Sequence, residues 1–451
     1  MPEPAGDAGP GVLPATVPGA EDPTRGLERR GGFRWMICAL LFLATTVNYV
    51  DRAVLGVLKP LLDHELGWSQ IVYGHVVTAF QFAYAVGYAT GGRLMDRIGV
   101  RIGFALAVLV WSLAAMAHAL ARTVAGFSAA RAVLGLAEGG GFPAAIKSIA
   151  EWFPKEQRAY ATGWFNAGSN VGAIACPLLV PWLAGHWGWQ GAFIATGALG
   201  LVWIILWWWI YDAPERHPRV SADELAYIRQ DPPETVTPIP WLHLLRYRQT
   251  WAFVVGMAAS SPIWWFYIYW IPDFLNKRFG LSLTQSSVPL MLIFLGSSFG
   301  GIGGGWLSSA LIRNGWSVNA ARKIALLACA LCVVPVGVTP ILGNVWAAVL
   351  LVGLAAAAHC GFAANLFTLV SDTVPRRAVS SVVGLGGMAG ALAGMVFAQV
   401  VSRILQWTHN NYLVPFAYAS LVYLAAVGLM HWILPRLEPI AESHGDYANI
   451  K

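Results

Sequence analysis

Charge is scarce in this chain: Asp, Glu, Lys and Arg make up 12% of its 451 residues, while 57% are hydrophobic. Soluble domains carry roughly 25% charged residues, so no soluble domain of any size fits. Cysteines are few. Cys38, Cys176, Cys329, Cys332 and Cys360 all lie in apolar stretches, which excludes a secreted disulfide framework and a zinc site and leaves small packing residues. There is no paired nucleophile and base and no metal-ligand cluster. The glycine run Gly139, Gly140, Gly141 is not followed by the Lys and Ser/Thr that a phosphate loop needs. An enzyme is therefore not expected, nor is a cofactor. Residues 1–32 are rich in Pro, Gly, Ala and charge and lack an apolar core, so they read as a disordered tail and not as a signal peptide. The net charge of +6 is spread over short loops, which points to membrane topology and away from nucleic acid.

What the chain does have is a series of apolar runs of about 20 residues, each long enough to cross a bilayer. Six are expected in the first half, at about Phe33–Leu58, Ile71–Gly92, Gly99–Leu120, Val124–Ile149, Tyr160–Leu183 and Trp187–Tyr211. Six more follow at about 250–276, 285–311, 320–341, 343–371, 378–402 and 412–434. The expected organisation is a six-helix bundle at 33–211, a linker at 212–249, a second bundle at 250–434 and a polar tail at 435–451. Within the linker, SADELAYIRQD reads as a short amphipathic helix opened by a Ser/Asp cap. Basic residues test the layout, because cytoplasmic loops carry their excess. With both termini inside, 22 of the 29 Lys and Arg fall on cytoplasmic segments, and only Lys59, Arg122, Lys277, Arg278 and Arg403 on the opposite connections. The remaining two, Arg52 and Arg131, are inside spans.

Charges at membrane depth are expensive and by default mark function. Arg131 and Glu138 are seven residues apart, nearly on one stripe of a helix and about 10 Å apart along its axis. That is too far for direct contact without a third group between them. Asp51 and Arg52 are adjacent, so they point about 100° apart and serve different neighbours. The expected arrangement turns Arg52 to a central cavity and Asp51 toward the fourth span. The alternative reading of each pair is a salt bridge that only holds helices together. The halves are also weakly alike: GGRLMDRIGVR at 91–101 is echoed by GGGWLSSALIRNG at 303–315, and EWFPKEQRA at 151–159 by DTVPRRAV at 372–379. Equivalent placement suggests two parallel six-helix repeats with a site between them near the midplane.

GGRLMDRIGVR resembles the loop signature of the major facilitator superfamily, G-x-L-x-D-R-x-G-x-R, at Gly92, Leu94, Asp96, Arg97, Gly99 and Arg101. NYVDR at 48–52, RAVLGLAEGGGFPAAIKSIAEWFPKEQRA at 131–159 and WFNAGSNVG at 164–172 resemble the anion:cation symporter family, and ANLFTLVSDTVPRRAVSSVVGLGGMAGAL at 364–392 looks like its hexuronate branch. The resemblance implies a twelve-helix carrier in the bacterial inner membrane that imports a sugar acid with protons, without a cofactor. It assigns Asp51 and Glu138 to proton binding and Arg52 and Arg131 to the substrate carboxylate, with Tyr49 and Tyr84 as substrate contacts.

The chemistry agrees. A guanidinium fork can take both oxygens of a carboxylate leaving water; a buried carboxylate favours its neutral form, and a nearby arginine its charged one. Gln81 and Tyr88 share a face with Tyr84, and Asn166 and Asn170 form an i, i+4 amide pair suited to hydroxyls. Asn365 is the expected polar contact of the second half, with Ser297 and Ser298 weaker, while His359 reads as a packed or hydrogen-bonded core histidine. The aromatics of SSPIWWFYIYWIPDF at 260–274 read either as one wall of the site with an outer gate or as an interface belt. Asp96, Arg97 and Arg101 are expected to latch helices at the cytoplasmic ends; Ser309 stands where the second half would place its aspartate. Expected partners are a small organic anion and lipid, with a monomeric chain. The rival functions are transport of another anion, such as an aldonate or a small aromatic acid, and a non-transporting anion sensor.

Overall fold

A computed structural model describes residues 32–231 and 241–440, and among these every regular element is a helix. Most of the two expected tails, residues 1–31 and 441–451, and the middle of the linker, residues 232–240, lie outside the described residues. The helices are α1 (Phe33–Leu66), α2 (Gln70–Ile98), α3 (Val100–Ala117), α4 (Val124–Gly139), α5 (Gly141–Trp152), α6 (Lys155–Ile210), α7 (Ala222–Ile228), α8 (Trp241–Leu244), α9 (Arg248–Phe279), α10 (Ser287–Arg313), α11 (Val318–Val333), α12 (Val345–Thr373), α13 (Arg376–Trp407) and α14 (Leu413–Ile433).

Nine helices among the described residues are long and apolar enough to cross a bilayer singly, yet the chain makes twelve crossings. Gly188, at φ 69°, folds the 56-residue α6 into two spans, a left-handed conformation open to glycine without steric penalty. The pair α4 and α5 is one span broken at Gly140. The span α2 carries too many polar residues to qualify by hydropathy but lies among the others. Side-chain caps set several starts: Ser69 accepts from Val72 N, Thr123 from Gly126 N, Ser317 from Ala320 N and Asn344 from Trp346 N.

The packing repeats. In the first half α1 lies along α6, α2 along α4, and α3 against α6; in the second α9 lies along α13, α10 along α12, and α11 against α14. The halves meet through α1 with α9, α2 with α13 and α6 with α10, the last two pairs being equivalents under exchange of the halves. Two six-helix pseudo-repeats follow from this pattern.

The linker helix is docked. Ser221 caps α7, as expected, and Glu224 is buried against the start of α1, where its carboxylate accepts from Arg34 N at 3.2 Å and pairs with the Arg34 guanidinium at 3.2 Å. A carboxylate at a helix N-terminus satisfies both the orphan N–H groups and the dipole. Asp231 does the same for α6 through Lys155 N.

One expectation is corrected. The helix α1 continues past Leu58 to Leu66, so Lys59 is not on a connecting loop but fully buried. It joins the main polar seam between the halves, at the face opposite the chain termini. Lys59 pairs with Asp63 at 2.6 Å and with Asp273 of α9 at 3.0 Å. Gln70 donates to Asp273 at 2.9 Å and to Asn410 at 2.8 Å, Tyr412 donates to Asp273, and Tyr73 to the Tyr269 carbonyl. That face is shut.

Candidate substrate and proton site

Between the halves lies a cavity of about 290 Å³, at the small end of the roughly 300–1,000 Å³ usual for ligand sites. Its walls come from α1, α2, α3, α4, α5 and α6 of the first half and α9, α12 and α13 of the second. From the first half, Tyr49, Arg52, Tyr84, Tyr88, Glu138 and Asn166 face it.

Arg52 is the hub. Its Nε and Nη2 donate to a single oxygen of Glu138 at 3.0 and 2.8 Å, and Nη2 also donates to Asn48 at 3.0 Å. Aromatic rings surround the guanidinium, with centroids at 4.8 Å for Tyr49, 4.8 Å for Tyr84, 5.2 Å for Trp265 and 5.6 Å for Phe80. The box fixes the plane of the cation and favours it electrostatically. Glycines bring Glu138 to this point. A Cβ on Gly135 would lie 2.3 Å from the Phe80 carbonyl oxygen, and one on Gly139 would lie 2.6 Å from that of Tyr84. Only bare backbone lets α4 sit so close to α2.

The third group between Arg131 and Glu138 is Arg52 itself. Its side chain holds Glu138, and its carbonyl accepts from Arg131 Nη2 at 3.3 Å. Arg131 is fully buried and does not reach the cavity in this conformation; Phe80 and Tyr269 cover it, with centroids 5.2 and 5.7 Å from its Cζ. Its Nε and Nη1 have no hydrogen-bond partner among the described residues. Asp51 turns away from the cavity, as the 100° offset requires, and is buried near Thr196, with no cation paired to its carboxylate among the described residues. Burying an unpaired charge is costly, so Asp51, Glu138 and Arg131 form a set whose charges depend on one another.

Several expected contacts lie elsewhere. Gln81 is buried where α2 meets α13, its amide nitrogen 3.3 Å from where a Cβ on Gly394 would stand. Asn170 is half-buried beyond the cavity lining. Asn365 is fully buried and donates to the carbonyls of Gly304 and Gly361, at 2.8 and 2.9 Å, tying α12 to α10. Asp96 pairs with Lys147 of α5 at 2.8 Å and Arg101 with Asp212 at 2.6 Å, both within the first half, and Arg97 is exposed. Conversely, Ser261, Trp264, Trp265 and His359 supply the second half's wall. The crowding of aromatics at 260–274 hinted at this, but helical spacing alone does not separate a cavity wall from a lipid-facing belt.

Comparison with known proteins agrees with this architecture. The family model for the Major Facilitator Superfamily matches residues 41–398. The hexuronate transporter of Escherichia coli (strain K12) is 31% identical over 427 residues, covering 92% of this chain and 98% of that protein. The D-galactonate transporter of Escherichia coli O6:H1 is 29% identical, covering 89% and 94%. Among solved structures, a D-xylose-proton symporter superposes with a TM-score of 0.71 at 15% identity, over 91% of this chain and 100% of that one, a likeness of fold. The chain is thus a multi-pass membrane transporter, not an enzyme, and belongs to the major facilitator superfamily.

Proposed function

We propose that the chain is a proton-coupled symporter that imports a sugar-acid monoanion, a hexuronate such as glucuronate or galacturonate, by alternating access, as a monomer in the inner membrane. The observation that carries this reading is Arg52, a cavity-facing guanidinium framed by aromatic rings and neutralised by Glu138. A carboxylate entering the cavity competes with Glu138 for the same donors. When the substrate takes Arg52, Glu138 loses its counter-charge in a buried setting and takes up a proton. Anion and proton then bind together, and the loaded site closes without gaining net charge. Asp51, buried beside Thr196 and close to Glu138 and Arg131, is the second proton group. Arg131 would meet the substrate carboxylate only once α9 has moved and uncovered it. No cofactor takes part; the proton is the coupling ion.

With both termini cytoplasmic, the shut face is the outer one and this conformation is inward-facing. The excess of Lys and Arg on the segments at the terminal face supports that orientation. Asp96 with Lys147 and Arg101 with Asp212 brace the first half at its cytoplasmic end, a latch that outward-facing closure would extend across the halves. The test is uptake of labelled glucuronate and galactonate into proteoliposomes, with and without an inward proton gradient, for the wild type and Arg52→Ala. Gradient-driven glucuronate uptake that is lost in the variant supports the reading. Galactonate uptake alone keeps the mechanism and replaces the substrate, and uptake of both that survives Arg52→Ala overturns the site.

A further inference from the structure

The second half's wall of the cavity carries no charged side chain among the described residues; its polar groups are Ser261 and His359, set among Met257, Trp264, Trp265 and Phe367. His359 is held on two sides. Its ring stacks on Trp264 with centroids 5.0 Å apart and planes 8° from parallel, and its Nδ1 lies 2.7 Å from the hydroxyl of buried Tyr423. That hydroxyl is also 3.5 Å from the Ser260 carbonyl. Stacking fixes the plane of the imidazole and Tyr423 fixes its rotation. The remaining nitrogen, Nε2, makes no hydrogen bond among the described residues and is not sealed in the core, since His359 lines the cavity. A histidine anchored through one nitrogen with the other turned to a cavity is a positioned hydrogen-bonding group.

We propose that His359 Nε2 binds a hydroxyl of the substrate at the end remote from the carboxylate, and so selects hydroxylated monocarboxylates over acids of the same charge that lack hydroxyls. This rests on the assignment of the carboxylate to Arg52. A hydroxyl both donates and accepts, so it satisfies Nε2 in either tautomer that the contact with Tyr423 allows. A ring or methylene in that place satisfies neither, and a site built around a hydrogen bond discriminates strongly against the analogue without it. A second carboxylate would meet no cation on this wall. Tyr423 acts as a positioning residue through the imidazole.

The test measures binding of glucuronate, galactonate and cyclohexanecarboxylate to the full-length purified carrier by isothermal calorimetry, for the wild type, His359→Phe, His359→Gln and Tyr423→Phe. The expected result is at least tenfold weaker binding of both hydroxylated acids in His359→Phe, with cyclohexanecarboxylate unchanged. His359→Gln, which keeps a hydrogen-bonding amide, should restore them to within about threefold of wild type. Tyr423→Phe should fall between. If His359→Phe does not fold, the last two variants carry the same comparison. Equal weakening of all three acids, or no change in any, overturns the proposal. A wild type that binds none of the three overturns the Arg52 assignment, and this proposal with it.

Discussion

Arg52 gives both of its Glu138 hydrogen bonds to one carboxylate oxygen, from Nε at 3.0 Å and Nη2 at 2.8 Å, leaving the other oxygen without a partner. The guanidinium fork can match two oxygens at once, and here it is only half used. In the proposed mechanism a free carboxylate takes the full fork and displaces Glu138, which then takes up a proton.

Glu138→Gln removes that proton site while keeping the side chain's size and an acceptor for Arg52. Exchange of labelled for unlabelled glucuronate across proteoliposome membranes should persist in the variant. Accumulation driven by a proton gradient should fall at least tenfold, to the equilibrium level. Both are read from radiolabel retained at steady state.

Lys59 and Asp273 are fully buried where the halves meet at the shut face. Asp273→Asn leaves Lys59 with Asp63 of its own half and removes the ion pair across the halves, and breaking a buried pair costs up to about 3–5 kcal/mol. Asp273→Asn should therefore favour opening of that face. A cysteine at Thr78, whose hydroxyl accepts from Gln399 of α13, should react faster with a membrane-impermeant maleimide in Asp273→Asn than in the parent, and the double variant Lys59→Met/Asp273→Asn should return toward the parent rate.

Gly135→Ala places a methyl carbon 2.3 Å from the backbone carbonyl oxygen of Phe80, and α2 must shift to admit it. Overpacking of this kind costs about 1–3 kcal/mol and moves Glu138 away from Arg52. The variant's melting temperature in detergent should drop and its glucuronate affinity with it. Gly305→Ala, which meets nothing within 4 Å, should change neither.

Glu224→Ala breaks the contact between α7 and the start of α1. Arg34 loses its buried ion pair with Glu224, and the N–H groups at that helix end lose an acceptor. Differential scanning fluorimetry should report a lower melting temperature, while glucuronate affinity stays within about twofold, because nothing in the clamp touches the cavity.

Much of the fold was legible because apolar length is a direct requirement of the bilayer. The break between the fifth and sixth spans was legible too, within a few residues of the fold of α6 at Gly188, whereas the split of one span at Gly140 was not, because it depends on a local backbone conformation that hydropathy does not encode. Asp51, Arg52 and Glu138 stood out because charge at depth needs a reason. The offset between Asp51 and Arg52 also told that the two would face different neighbours. Whether Arg131 would reach it depended on Phe80 and Tyr269, which come from two other helices, and no spacing within α4 could reveal that. Asn365 read as a substrate contact, yet its amide donates to two backbone carbonyls, a partnership visible only once α10 is in place. Lys59 looked like a loop residue because the apolar run ends at Leu58, whereas its partner Asp273 holds it inside.

If substrate and proton bind together, adding ligand must draw protons from solution, and that uptake can be measured directly. Glucuronate at matched pH is added to the purified carrier in lightly buffered detergent solution while the pH is followed. The expected result is an alkaline shift that saturates with glucuronate and is lost or sharply reduced in Glu138→Gln. Saturable glucuronate binding with no pH change, or a shift of equal size in Glu138→Gln, would contradict it.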